Sequence, residues 1–353
     1  MITFAPGPSK VYDALPQYLQ DAYNHGILSA NHRSGAFMKL YQETEQLMRE
    51  KLHMPEDYKL LFTSSATESW EIISQSIVEQ ASFHLYSGSF GKKWLDYAKH
   101  IIPGTNALKL EANQAIDVSG LEIGESYDLI GITQNETANA TQVPMSVIEA
   151  IAEKFPEKMI AVDTTSSMGG IELNFALADI WYASVQKCFG LPAGLGLLII
   201  SPKAVEKAER KGEKGRYNSL SFMLENAAGY QTHYTPNVLG IYLLNRVLQD
   251  MEEIQHVDAI LRNRMRKLGN TIAQSEKFSM LVSNDQTRST TVMAVSGSEE
   301  LISAVKKAAE KEGMQLGSGY GPLKPTSFRI ANFPAITDAE FDRLIEFLKN
   351  YKA

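Results

Sequence analysis

Cysteine is almost missing from this chain: Cys188 stands alone, so no disulfide forms within it, and neither a cysteine-rich secreted scaffold nor a zinc cluster fits. Long apolar runs are missing too. Nothing approaches the roughly 18 residues of a membrane span, and no basic-then-apolar leader follows Met1. Basic charge is in short supply, with 34 Lys and Arg against 41 Asp and Glu and a formal net charge of -7. Such a balance offers no field for nucleic acid and no polybasic strip for a lipid surface. The expectation is a cytoplasmic protein that works on small molecules, with neither nucleic acid nor membrane as a partner. An anionic substrate would have to be held by individual arginines.

What is present is a chain of 353 residues, more than one core usually holds. Apolar strand-like runs (Lys59–Phe62, Leu129–Thr133, Met159–Val162, the run ending at Ser184, and Leu195–Ile200) alternate with helical segments such as 146–154 and 204–211. That alternation predicts an α/β fold with a mostly parallel sheet covered on both faces. After about Met251 the composition changes to long charged helices and short strands, predicting a smaller α+β unit. The expected division is a segment 1–15 laid across a cleft, a large domain 16–254 and a small domain 255–353. Pro6, Gly7, Pro8 and Pro16 keep the first segment extended.

The central stretch is Ser184-Val185-Gln186-Lys187-Cys188-Phe189-Gly190-Leu191-Pro192. One lysine there sits between an apolar strand and a glycine- and proline-rich turn. At the mouth of a core its amine is partly desolvated, its pKa falls, and a neutral nucleophile becomes accessible. Twenty-odd residues upstream, the strand through Val162 ends in Asp163 and a run of hydroxyls. A strand-end carboxylate and a buried lysine are what pyridoxal 5'-phosphate requires: an anion for the pyridine nitrogen and an amine for the aldehyde. Thr63–Ser69 is read as the turn opening a helix near Trp70. It offers free N–H groups to a phosphate and, equally, a capping arrangement with Ser64 or Ser65 as N-cap and Glu68 reaching back.

Taken in order, these motifs resemble the class V, fold-type I aminotransferases, and among them the phosphoserine aminotransferases. The likeness runs through Phe4–Pro8, His32-Arg33-Ser34, Asn135-Glu136-Thr137, Asp163, Gln186-Lys187 and Thr235-Pro236. It implies a large domain with a seven-stranded-type sheet, a small C-terminal domain, and a pyridoxal phosphate-dependent transaminase of serine biosynthesis acting on phosphoserine and 2-oxoglutarate. It also implies Lys187 and Asp163 as catalytic residues. Ala66, Thr67, Glu68, Phe90, Thr137, Gln186, Tyr234 and Thr235 join them as cofactor residues, and His32, Arg33 and Arg329 as substrate residues. A homodimer is implied, the threonine of one subunit reaching the cofactor phosphate of the other. The turn at residues 63–69 looks more like that of serine or alanine aminotransferases of the same class, and the segment 317–324 lacks the basic pair that some phosphoserine enzymes carry there. Those activities, and a non-catalytic binding protein on the same scaffold, remain the alternatives.

Overall fold

The computed structural model describes residues 1–351. Its larger sheet has seven strands in the order Lys59–Thr63, Gly196–Ile200, Ile180–Ser184, Met159–Asp163, Leu129–Thr133, Ser82–Tyr86 and Asn106–Lys109. All pair in parallel except Gly196–Ile200, which runs antiparallel to both neighbours. The central strands are buried along their whole length, so they need apolar residues on both faces rather than an alternating pattern. Their side chains then divide by pleat. Ile130, Val162, Trp181, Ala183 and Leu197 enter the core on one face. Leu129, Ala161, Tyr182 and Leu198 enter the core on the other.

Helices flank both faces, and local chemistry fixes where they begin. Ser65 has extended backbone and its hydroxyl accepts the Glu68 N–H, so the Ala66–Ser76 helix starts four residues before the position near Trp70 that the sequence suggests. Glu68 reaches back, but its carboxylate accepts from the Ser64 N–H and hydroxyl rather than from the N-cap residue. The Leu220–Ala227 helix is one that the sequence pattern does not announce.

A second, five-stranded sheet is ordered Ile2–Phe4, Met314–Ser318, Ser327–Ala331, Val292–Ser296, Ser279–Met280. It is backed by the helices Ile254–Ala273, Glu299–Lys311 and Asp338–Asn350. Its edge strand comes from the N-terminus: Ile2–Phe4 pairs in parallel with Met314–Leu316, and Phe4 is fully buried in this second core. From there the chain crosses to the large sheet, where the Ser9 N–H donates to Gln186 O and the Tyr12 N–H to Gly190 O. The first dozen residues therefore tie one sheet to the other directly above the Lys187 turn. No helix among the described residues is long and apolar enough to cross a membrane.

Candidate active site

The C-terminal ends of the parallel strands face a cavity of about 420 Å³, the position where open α/β sheets bind ligands. Lys187 follows the Ile180–Ser184 strand and is buried. Its Nζ donates to the Pro6 carbonyl at 2.9 Å and lies 5.6 Å from the centre of the Phe90 ring. No carboxylate lies within ion-pair distance of it among the described residues. Burial, followed by the nearby Arg329 charge, lowers its pKa to about 8, against the opposing pull of Asp163 and Glu136. Gly7 leaves it room, since a Cβ at that position would stand 2.7 Å from Nζ.

Asp163 ends the neighbouring strand and is 4% exposed. Its Oδ1 accepts the Thr165 N–H at 2.9 Å, and the Tyr182 hydroxyl, on the adjacent strand, helps to hold its pKa down. That hydroxyl accepts the Trp70 indole N–H at 2.8 Å. Tyr182 and Trp70 are thus positioning residues that the sequence does not single out. Burial pushes the Asp163 carboxyl above the ordinary range, while its hydrogen bonds and the Lys187 charge pull it down.

Thr67, Ala66, Gln186, Phe90 and Thr137 also line the cavity. The backbone N–H groups of Ala66 and Thr67 open their helix without a partner inside it. Gln186 spends its Oε1 on the Ser184 hydroxyl at 2.6 Å, which leaves its amide N–H groups for a ligand. Phe90 opens the Ser89–Ile101 helix, and its backbone N–H, with those of Gly91 and Ala138, is held by the Glu136 carboxylate. Glu136 is fully buried against Gly88, where a Cβ would come within 2.4 Å of its Cγ. Arg329 stands beside the cavity wall. Its Nε donates to Ser318 O at 2.7 Å and its Nη1 to Thr137 O at 2.8 Å, and burial lowers its pKa.

Other predicted residues do not join this cavity within one protomer. Arg33 is exposed in a turn closed by its N–H to Asn31 Oδ1 at 2.8 Å, and His32 is half-buried beside it. Thr235 is exposed, and Tyr234 packs on His233 and Tyr217. Glu68 points to the outer side of its helix, where it accepts the Tyr217 hydroxyl at 2.7 Å.

A family model described as aminotransferase class-V matches residues 4–332. The chain belongs to the class V aminotransferases. This class V chain is 32% identical to a phosphoserine aminotransferase from Cytophaga hutchinsonii ATCC 33406, whose crystal structure it matches with a TM-score of 0.95 over 100% of this chain and 99% of that one. It is 27% identical to the phosphoserine aminotransferase of Rhodococcus opacus (strain B4), across 97% of this chain and 92% of the relative. With that of Corynebacterium glutamicum (strain R) it shares 25% identity over the same fractions.

The cavity of this class V aminotransferase fits pyridoxal 5'-phosphate by its donor set. Free N–H groups at a helix start suit a phosphate. The Phe90 ring suits one face of a pyridine, the buried Asp163 its nitrogen, and the buried amine of Lys187 its aldehyde.

Proposed function

We propose that this class V aminotransferase moves the amino group of phosphoserine to 2-oxoglutarate, as a cytoplasmic step of serine biosynthesis. The observation that carries the reading is an unpaired, buried amine, Lys187, sharing one cavity with a strand-end carboxylate, Asp163. The likeness to the Cytophaga enzyme along the whole chain supports the choice of donor.

When bound, pyridoxal phosphate supplies an aldehyde carbon for amino groups and an electron sink for a substrate Cα carbanion. Asp163, kept in place by Thr165 and Tyr182, holds the pyridine nitrogen protonated. Phe90 would cover one ring face and exclude water, and Thr137 would bond the phenolic oxygen. Ala66, Thr67 and Gln186 hold the phosphate. Lys187 Nζ would take the proton from the substrate Cα and hand it on to the cofactor's aldehyde carbon, so that the lysine ends the step with the protons it began with. An amine with a pKa near 8 does this well, because about a tenth of it is neutral at pH 7, against roughly one part in 2,500 for an ordinary lysine. Arg329 offers its free guanidinium edge to the α-carboxylate, a planar match.

The working unit is a homodimer in which His32, Arg33, Tyr234 and Thr235 serve the partner's cavity. Their position outside the cavity of their own protomer, with Arg33 exposed, supports this. Initial rates with phosphoserine, serine and alanine as donors, against 2-oxoglutarate, pyruvate and glyoxylate, test the reaction. Preference for serine or alanine overturns the donor, and failure to bind pyridoxal phosphate overturns the reading altogether. Mixing two inactive variants, Lys187→Ala and Thr235→Ala, tests the dimer: shared sites restore part of the activity through hybrids, and self-contained sites restore none.

A further inference from the structure

The mouth of the cavity holds a cation that the reaction above does not use. Lys93 lies one turn after Phe90 on the Ser89–Ile101 helix, and lines the cavity together with Tyr97. Its neighbour Lys92 is spent on Asp96, whereas Lys93 makes no ion pair among the described residues. Instead its Nζ donates to the Tyr320 hydroxyl at 3.0 Å, and stands 5.4 Å from the Phe90 ring centre and 5.7 Å from that of Tyr320. Phe90 and Tyr320 pack on each other with centroids 5.2 Å apart. The Arg329 guanidinium lies 5.5 Å from the Tyr320 ring centre. Two cations from the two sheets' territories are thus gathered on one tyrosine, and the nearest acid that both feel, Glu136, is buried and spent on backbone N–H groups.

We infer that Lys93 and Tyr320 form the subsite for the second anionic group of a substrate whose α-carboxylate is held by Arg329. This rests on the functional reading above and names what that reading leaves open, the protomer's own reader of the distal group. An ammonium with one proton on Tyr320 keeps two for oxygen, and the tyrosine hydroxyl, accepting from Lys93, still has its own proton to donate. Three donors in a cluster suit the oxygens of a phosphate monoester better than the two of a carboxylate. The hydrogen bond to Tyr320 raises the Lys93 pKa, so the group stays charged throughout the neutral range. The aromatic walls hold the flexible lysine stem in place, which lessens the entropy lost on binding.

Unreactive ligands separate this from catalysis. Calorimetric titration of the pyridoxal phosphate-loaded protein with 3-phosphoglycerate, which has a carboxylate and a phosphate but no amine, is compared with glycerate, which lacks the phosphate. Lys93→Met should weaken 3-phosphoglycerate about 10-fold or more and glycerate less than about 2-fold, while Lys93→Arg keeps most of the affinity. Tyr320→Phe should give a smaller loss, again confined to the phosphorylated ligand. Glutarate, with two carboxylates, should lose less than 3-phosphoglycerate. In turnover, the Lys93→Met change should fall on KM for phosphoserine and leave kcat nearly intact. An equal loss for both ligands, or no loss for 3-phosphoglycerate, overturns the assignment of Lys93. If the parent protein does not turn over phosphoserine, the functional reading fails instead, and the two ligands still decide whether the subsite exists.

Discussion

Asp163 and Lys187, at the floor of the cavity, are 4% and 9% exposed, whereas Tyr97 at its mouth is 56% exposed. The floor is built from strand ends of one sheet, with each polar atom assigned a partner or kept for the cofactor. The mouth is assembled from a helix of the large sheet, a loop of the small one and an N-terminal segment shared by both. Burial makes one group decisive at the floor, because a charge there has no water to replace it. At the mouth solvent screens each charge, so selectivity takes several cations acting together.

The largest test of that contrast is Lys187→Ala. Turnover should fall by about 10⁴-fold or more, yet cofactor should remain bound noncovalently, since its phosphate and ring are held by other residues. Equilibrium dialysis with pyridoxal phosphate, beside a steady-state assay, checks both halves; unchanged turnover would disprove the assignment. Asp163→Asn comes next. It keeps the shape of the site and removes the charge, and should slow Cα deprotonation by about 10²- to 10³-fold, read as a primary isotope effect on kcat with α-deuterated donor. Equal rates for the two proteins would mean that the essential carboxylate lies elsewhere.

The smallest effect concerns pH. The Lys187 pKa of about 8 means that reductive methylation of this lysine in cofactor-free protein, followed by mass spectrometry, should accelerate about tenfold per pH unit up to that value and level off above it. Arg329 is the second cause of the lowering, after burial. Its removal in Arg329→Gln therefore favours the protonated amine, and the inflection should move upward by a fraction of a unit. A downward move would mean that Arg329 acts on Lys187 by some route other than its charge.

Much of the floor is legible because each of its key residues directly follows an apolar run. Asp163 and Gln186-Lys187 each close an apolar run, and an apolar run ending in polar residues marks a strand reaching a ligand. The Lys93–Tyr320 bond joins residues 227 apart, and no local pattern announces such a pair. The only hint lay in helical spacing, which puts Lys93 on the same face as Phe90. Glu136 could be quoted as part of a motif, but its work of holding two N–H groups at the start of another helix, besides that of Ala138 in its own loop, depends on packing. The Asn106–Lys109 strand, exposed or half-buried throughout, lacked the apolar run that betrays inner strands. Ile2–Phe4 is too short to declare itself without its partner. The start of the Ala66–Ser76 helix was misjudged because three hydroxyl residues in a row offered rival caps, and only backbone geometry chose Ser65.

The course of the first eight residues has a mechanical consequence. Ile2–Phe4 is fastened to the small sheet, while two residues later Pro6 presents its carbonyl to the Lys187 amine and Ser9 is anchored on Gln186. Any rocking of the small sheet against the large one pulls on this short strap, and the strap ends on the reactive nitrogen. Five peptide units, from Phe4 to Ser9, thus join the edge of the small sheet to the turn that carries the reactive lysine, and leave little slack between them.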